Sequence, residues 1–229
     1  MIRWRRALVL GLLVGCSNLD EGDAGVVALE VSAPASSVLE VGESLQLTAR
    51  ALDRDGNTVN TTITWRAVDT TASIDPASGI VSGLFPGTAR FQATVGSLAS
   101  GLITLTVLAP ADTLIIAGDS VLTVLADESA SAVMLVRLES FDPAGPLASR
   151  PVIYTITSPV LTGVPHTVEL PGGVLVDTVS TGSDGVSSMT LNRVTGVGQP
   201  DSAIVQVSAF RTHGAVVPGS GQRFIVHFQ

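Results

Sequence analysis

Residues 88–95 read Thr88-Ala89-Arg90-Phe91-Gln92-Ala93-Thr94-Val95. Apolar Ala89, Phe91, Ala93 and Val95 alternate with Arg90, Gln92 and Thr94, a period of two that turns one set to a core and the other to water. The same alternation extends on both sides. In residues 44–52, Leu45, Leu47, Ala49 and Ala51 face one way, and Gln46, Thr48 and Arg50 the other. Residues 62–68 direct Ile63, Trp65 and Ala67 inward, and Ile103, Leu105 and Val107 close the series. Turn signals separate these runs: Asp55-Gly56-Asn57, Pro76 to Gly79, and Pro86-Gly87. Short strands broken roughly every 8–12 residues predict an antiparallel sandwich over residues 26–108, with Trp65 and Phe91 as its structural core.

Leu108-Ala109-Pro110-Ala111 follows, and a proline among small residues after a strand predicts a linker at 109–111. The alternation then restarts. Strands are expected at 133–141, 151–157, 175–180, 186–191, 202–211 and 222–228; in the last, Phe224, Val226 and Phe228 point inward and Arg223 and His227 outward. A second sandwich over 112–229 is the consequence. Composition agrees, since the 229 residues include 31 Val, 23 Ser, 22 Thr, 23 Gly and 12 Pro, with no Lys. β-Branched and turn-forming residues favour strands over helices, and hydrophobicity of this order excludes a disordered chain.

The formal net charge is −8, and three of the twelve Arg lie at positions 3, 5 and 6, so the chain without them carries −11. Such a chain lacks the basic stripe that neutralises phosphates, which argues against a nucleic-acid partner and against electrostatic docking on anionic lipid. Arg3, Arg5 and Arg6 precede an apolar run from Ala7 to Val14, then Gly15 and Cys16. This order predicts a secretory signal peptide at 1–15. The run is shorter than the ~18–20 residues of a spanning helix. Leu13-Val14-Gly15-Cys16 resembles the lipobox of bacterial lipoproteins. The resemblance implies that Cys16 is lipidated and becomes the new N-terminus, so that the membrane is a partner through acyl chains. It would also account for the lone cysteine, which an exported protein otherwise leaves reactive. Arg5-Arg6 resembles a twin-arginine signal, but that motif's flanking residues are missing. Ser17 after the cysteine leans, by the same resemblance, toward the outer membrane, periplasmic or surface-exposed. Residues 16–25, with Asp20, Glu21 and Asp23, then form a lipidated acidic tether.

Further motifs sharpen the fold. Val41-Gly42-Glu43, Asp53-Arg54-Asp55-Gly56-Asn57, Ile63-Thr64-Trp65, Ala72-Ser73-Ile74-Asp75, Gly79-Ile80-Val81-Ser82-Gly83 and Pro86-Gly87-Thr88-Ala89 occur in an order that resembles the bacterial immunoglobulin-like domain, group 2. In the second half, Asp142 to Leu147, Val152-Ile153-Tyr154 and Thr181 to Leu191 resemble the group 1, or invasin-type, bacterial Ig-like repeat. There the family's early asparagine is absent and residues 159–173 form a long insertion. The fold expected is all-β, two antiparallel immunoglobulin-like β-sandwiches in tandem after a lipoprotein signal peptide.

One segment imitates a catalytic motif. Leu114-Ile115-Ile116-Ala117-Gly118-Asp119-Ser120 resembles the first block of GDSL-type hydrolases, in which Ser120 would be the nucleophile. A serine hydroxyl needs a base held by a carboxylate. In that family an Asp three residues before a His supplies both, whereas Gly163, Phe210 and Phe224 stand three before His166, His213 and His227. A turn between two strands is the simpler reading. Asp53-Arg54-Asp55-Gly56-Asn57 resembles a calcium loop but lacks the later Glu, so a hairpin turn is expected; Ser183-Asp184-Gly185 reads likewise. The isolated His residues offer no zinc spacing. No catalytic residue, metal, cofactor or small-molecule substrate is therefore expected. The function expected is a non-catalytic, lipid-anchored envelope protein with a structural, adhesive or protein-interaction role. The alternatives are a glycan-binding surface module and, remotely, a GDSL-like esterase using Ser120.

Overall fold

In the computed structural model the described residues are 25–32, 34–159 and 166–229. The signal peptide expected at 1–15, Cys16 and the expected tether up to residue 24 lie outside them. Among the described residues every regular element is a strand.

In the first half, Ala28–Ser32 pairs antiparallel with Thr48–Leu52, and the chain just before it, Ser44–Gln46, forms a separate ladder with Ile80–Gly83, which pairs in turn with Ala72–Ile74. Facing it, Gly87–Val95 lies between Thr64–Ala67 on one side and Ile103–Leu108 on the other. Val38–Glu40 completes this second layer by running parallel to Ile103–Leu108. The chain's first strand thus starts in one sheet and crosses to the other. Leu39, Leu47, Trp65, Val81, Phe91 and Leu105 fill the space between the layers. Phe91 has no exposed surface, and burial of a side chain that size contributes about 1.5–3 kcal/mol.

The run expected as one strand over 44–52 is broken at Leu47, whose N–H bonds Gly79 O at 3.0 Å rather than a ladder partner. Its side chain stays buried, so the alternation survives the break. Gly79 itself must be glycine: its φ is +74°, and a Cβ there would lie 2.8 Å from Trp65 Nε1. Gly79 is what lets the indole close the core.

The second half repeats the plan. Thr113–Ile116 pairs with Met134–Phe141, which also pairs with Ala144–Pro146 and Val186–Met189. The opposite sheet runs Val121–Val124, Arg223–Phe228, Ser202–Ser208, Pro151–Ser158, Val176–Ser180. Its first two strands are parallel, so the crossover between sheets recurs here at residues 117–120. The strand expected to run to 211 ends at Ser208, because Ala209 N–H turns to Ser220 Oγ at 3.0 Å and frees the following residues to leave the sheet. The strand expected over 186–191 ends at Met189, and Leu191 N–H bonds Ser131 Oγ instead.

Tyr154, the single tyrosine, is fully buried in this second core and its hydroxyl lies 3.2 Å from Ser187 Oγ. Burial pushes its phenol up to about 12 from 10, with the Ser187 hydrogen bond opposing. A raised folded value means that the native state gains stability below the ordinary phenol range and loses it as pH climbs through the folded one. Alkaline absorbance titration is therefore expected to show no tyrosinate near pH 10 and a transition near pH 12 that coincides with unfolding. An ordinary transition in a chain that remains folded would contradict the packing.

Candidate functional site

Alternation along Val38–Glu40 sends Leu39 into its own core and Glu40 outward. In an isolated sandwich Glu40 would meet water. Here it has no exposed surface, because the linker and the second sandwich cover it. A carboxylate taken wholly from water costs several kcal/mol unless it is paired and hydrogen-bonded, and each of its oxygens is served. Arg150 Nη1 donates to Oε1 at 2.8 Å. Ala111 N–H donates to Oε2 at 2.8 Å, and Arg211 Nε lies 3.8 Å from the same oxygen.

The cations are held in turn. Arg150 Nη2 donates to Ala109 O at 2.6 Å, and the Arg150 main chain is fixed by Thr181, whose Oγ1 accepts its N–H at 3.0 Å. Arg211 donates from Nε to Ala111 O at 3.1 Å and from Nη2 to Asp112 Oδ1 at 2.8 Å. Asp112 Oδ2 accepts Phe141 N–H at 2.7 Å. The linker backbone is thereby bonded at Ala109 and twice at Ala111. A Pro-containing segment that composition marks as a domain boundary is a tightly fastened one.

A second contact lies one turn away. Glu43 accepts hydrogen bonds from the Thr212 hydroxyl, from His213 N–H at 3.1 Å and from Glu40 N–H at 2.8 Å. Its desolvation alone would raise its carboxyl, but the Thr212, Glu40 and His213 contacts outweigh it and hold the group below the ordinary carboxylate value. Because the folded value is depressed, this contact stabilises the joint above the usual glutamate range and is lost as pH falls below it. Both carboxylates take hydrogen bonds from the linker or the second sandwich. The arrangement can fix two bodies together.

The residues singled out from sequence lie elsewhere. Trp65 and Phe91 are buried in the first core. Ser120 stands in the crossover just before Val121–Val124, so a strand follows it where the hydrolase pattern needs a helix. His227, on the neighbouring strand, is paired with Thr123, three residues along and about 10 Å away at ~3.3 Å per residue. His213 is turned to Glu43 at the joint. Asp53 Oδ1 accepts the N–H groups of Asp55 and Asn57 at 2.9 and 2.8 Å, and Gly56 takes φ +81°, so the acidic loop closes on itself as a hairpin turn. No cluster of three His, Cys, Asp or Glu able to hold a metal occurs among the described residues. Of the aromatic rings a glycan could stack on, Trp65 and Tyr154 are buried, whereas Phe85 and Phe141 are 63% and 67% exposed.

No family model matches the chain, and no curated protein matches it. Solved structures do. Domains 4 and 5 of the S-layer protein SbsC share 16% identity over 90% of this chain and 99% of that one, with a TM-score of 0.34. The Escherichia coli adhesin FdeC shares 15% identity over 88% of this chain and 64% of that one, with a TM-score of 0.46. The fibronectin(III)-like modules of CbhA from Clostridium thermocellum share 13% identity, covering 88% and 93%, with a TM-score of 0.39. Among the described residues the chain is all-β, two sandwiches in tandem, and this rests on its own strand pairings.

Proposed function

We propose that this protein is a lipid-anchored, non-catalytic component of a bacterial envelope, in which two bacterial Ig-like sandwiches form a structural or adhesive module held off the membrane by an acidic tether. The observation that carries this reading is the joint. A fully buried Glu40 bonded to Arg150 and to the linker fastens two sandwiches whose other charged side chains mostly face water, and such an arrangement serves position rather than chemistry. The anchoring half of the reading rests on Leu13-Val14-Gly15-Cys16, where more than one acyl chain on Cys16 would give stable attachment.

Fractionation of cells expressing the full chain tests the anchor. Wild type is expected in the membrane fraction, and Cys16→Ser is expected to be uncleaved at that position and free of incorporated fatty acid. A Cys16→Ser protein that stayed membrane-bound and was cleaved at the same position would overturn the lipid assignment.

A further inference from the structure

We propose that the joint between the sandwiches is a pH-sensitive latch, closed by a proton on His213. Three carboxylates meet there, Glu40, Glu43 and Asp112, with only two guanidiniums, Arg150 and Arg211. Both guanidiniums are committed. Arg150 serves Glu40 and the Ala109 carbonyl, and Arg211 is shared between Asp112 and Glu40. Glu43 is left with neutral donors, the Thr212 hydroxyl and the N–H groups of His213 and Glu40.

The Glu43 side chain is 9% exposed, so its charge is largely withdrawn from water and gains from any cation beside it. Among the described residues its one ion-pair contact is the His213 imidazole, whose Nδ1 stands 3.8 Å from Oε2 and is cationic only when protonated. The other elements packed there add no further charge to Glu43. Gly83 N–H bonds the Glu43 carbonyl at 3.1 Å, and residues 83–87 contain no ionisable side chain. The hairpin that carries His213 contributes Arg211, the linker Asp112, and the start of Pro151–Ser158 the preceding Arg150. A proton on His213 therefore brings the cluster from three negative and two positive charges to three of each.

Glu43 belongs to the first sandwich and His213 to the second, so this attraction acts only while the two bodies are docked. Histidine is the side chain that ordinarily changes charge between about pH 5 and 8. On the acid side of that range the imidazole is charged and the latch closes; on the alkaline side Glu43 keeps its neutral donors alone. Stronger acid releases the latch again, because the Glu43 carboxylate is itself neutralised below the ordinary glutamate range. The joint is thus tightest in mild acid, and this stands whether or not Cys16 carries lipid.

A double-mutant cycle in the full chain with Cys16→Ser, combining Glu43→Gln and His213→Gln, tests the latch by equilibrium denaturation at about pH 5.5 and about pH 8.5. Glutamine at 213 keeps the main-chain N–H and carries no charge. Hydrogen bonds that do not titrate contribute equally at both pH values, and protonation of His166 and His227 cancels within each cycle. The coupling is expected to favour folding roughly threefold at the lower pH, the size of a partly exposed ion pair, and to fall to near unity at the higher. Because the two residues stand on different bodies, that coupling is carried by the joint. Equal coupling at the two pH values, or a larger one at the alkaline value, would overturn the proposal, and neither result depends on the anchor.

Discussion

Replacing Glu40 with alanine is expected to lower the unfolding free energy by about 3–5 kcal/mol, the range for removing one member of a buried ion pair. The loss has two main sources. The Arg150 guanidinium, only 11% exposed, keeps Ala109 O but loses its counter-charge. Ala111 N–H, buried with its residue, loses its acceptor, at about 1–3 kcal/mol for an unsatisfied buried donor. Arg211 retains Asp112 and Ala111 O and adds little to the cost. Equilibrium denaturation of wild type, Glu40→Ala, Arg150→Ala and the double variant checks this. The two single losses are expected to overlap strongly, so that the double variant is much less destabilised than their sum. Additive effects would show that the two groups do not act on one another.

Trp65→Ala is expected to be comparably damaging, by about 3–5 kcal/mol, for a different reason. The indole is 4% exposed, and Gly79 leaves no side chain that could move in behind it. The void persists between the two layers. The effect should be confined by position: the first sandwich unfolds early while Tyr154, in the second core, keeps its buried environment until its own transition. Two separated transitions by denaturant with tyrosine as the second probe are the expected result; a single coincident loss of both cores would mean that the joint couples them more tightly than either core is held.

The two substitutions also mark how far the chain could be read without coordinates. Trp65 and Phe91 were legible because a period of two assigns each residue of a strand to one of two faces, and a large aromatic on the apolar face has one destination. The crossover of the first strand between sheets was only half legible: Gly118-Asp119-Ser120 could be recognised as a turn, but nothing local says that the strands on its two sides belong to different sheets. Leu47 was placed on the correct face although its backbone leaves the ladder, since side-chain parity is indifferent to which atom accepts its N–H. The joint was not legible. Alternation directs Glu40 to solvent, and its partner stands 110 positions away, in a residue flanked by Ser149 and Pro151 with no apolar pattern. The available signal was a single carboxylate in the run Val38-Leu39-Glu40-Val41, a pattern that many exposed strands share. Glu43 was quoted as part of a family motif, yet its contacts to Thr212 and His213 join segments no motif spans. Long-range charge pairing depends on how two bodies meet, and sequence periodicity describes each body alone.

The Glu40 joint holds the two sandwiches in one relation. Pulsed electron-spin distance measurement between labels at Ser97→Cys and Ser180→Cys, one exposed site in each half, in a Cys16→Ser background, checks this. A single narrow distance distribution that broadens in Glu40→Ala is the predicted result. A distribution already broad with Glu40 in place, and unchanged by its removal, would contradict it.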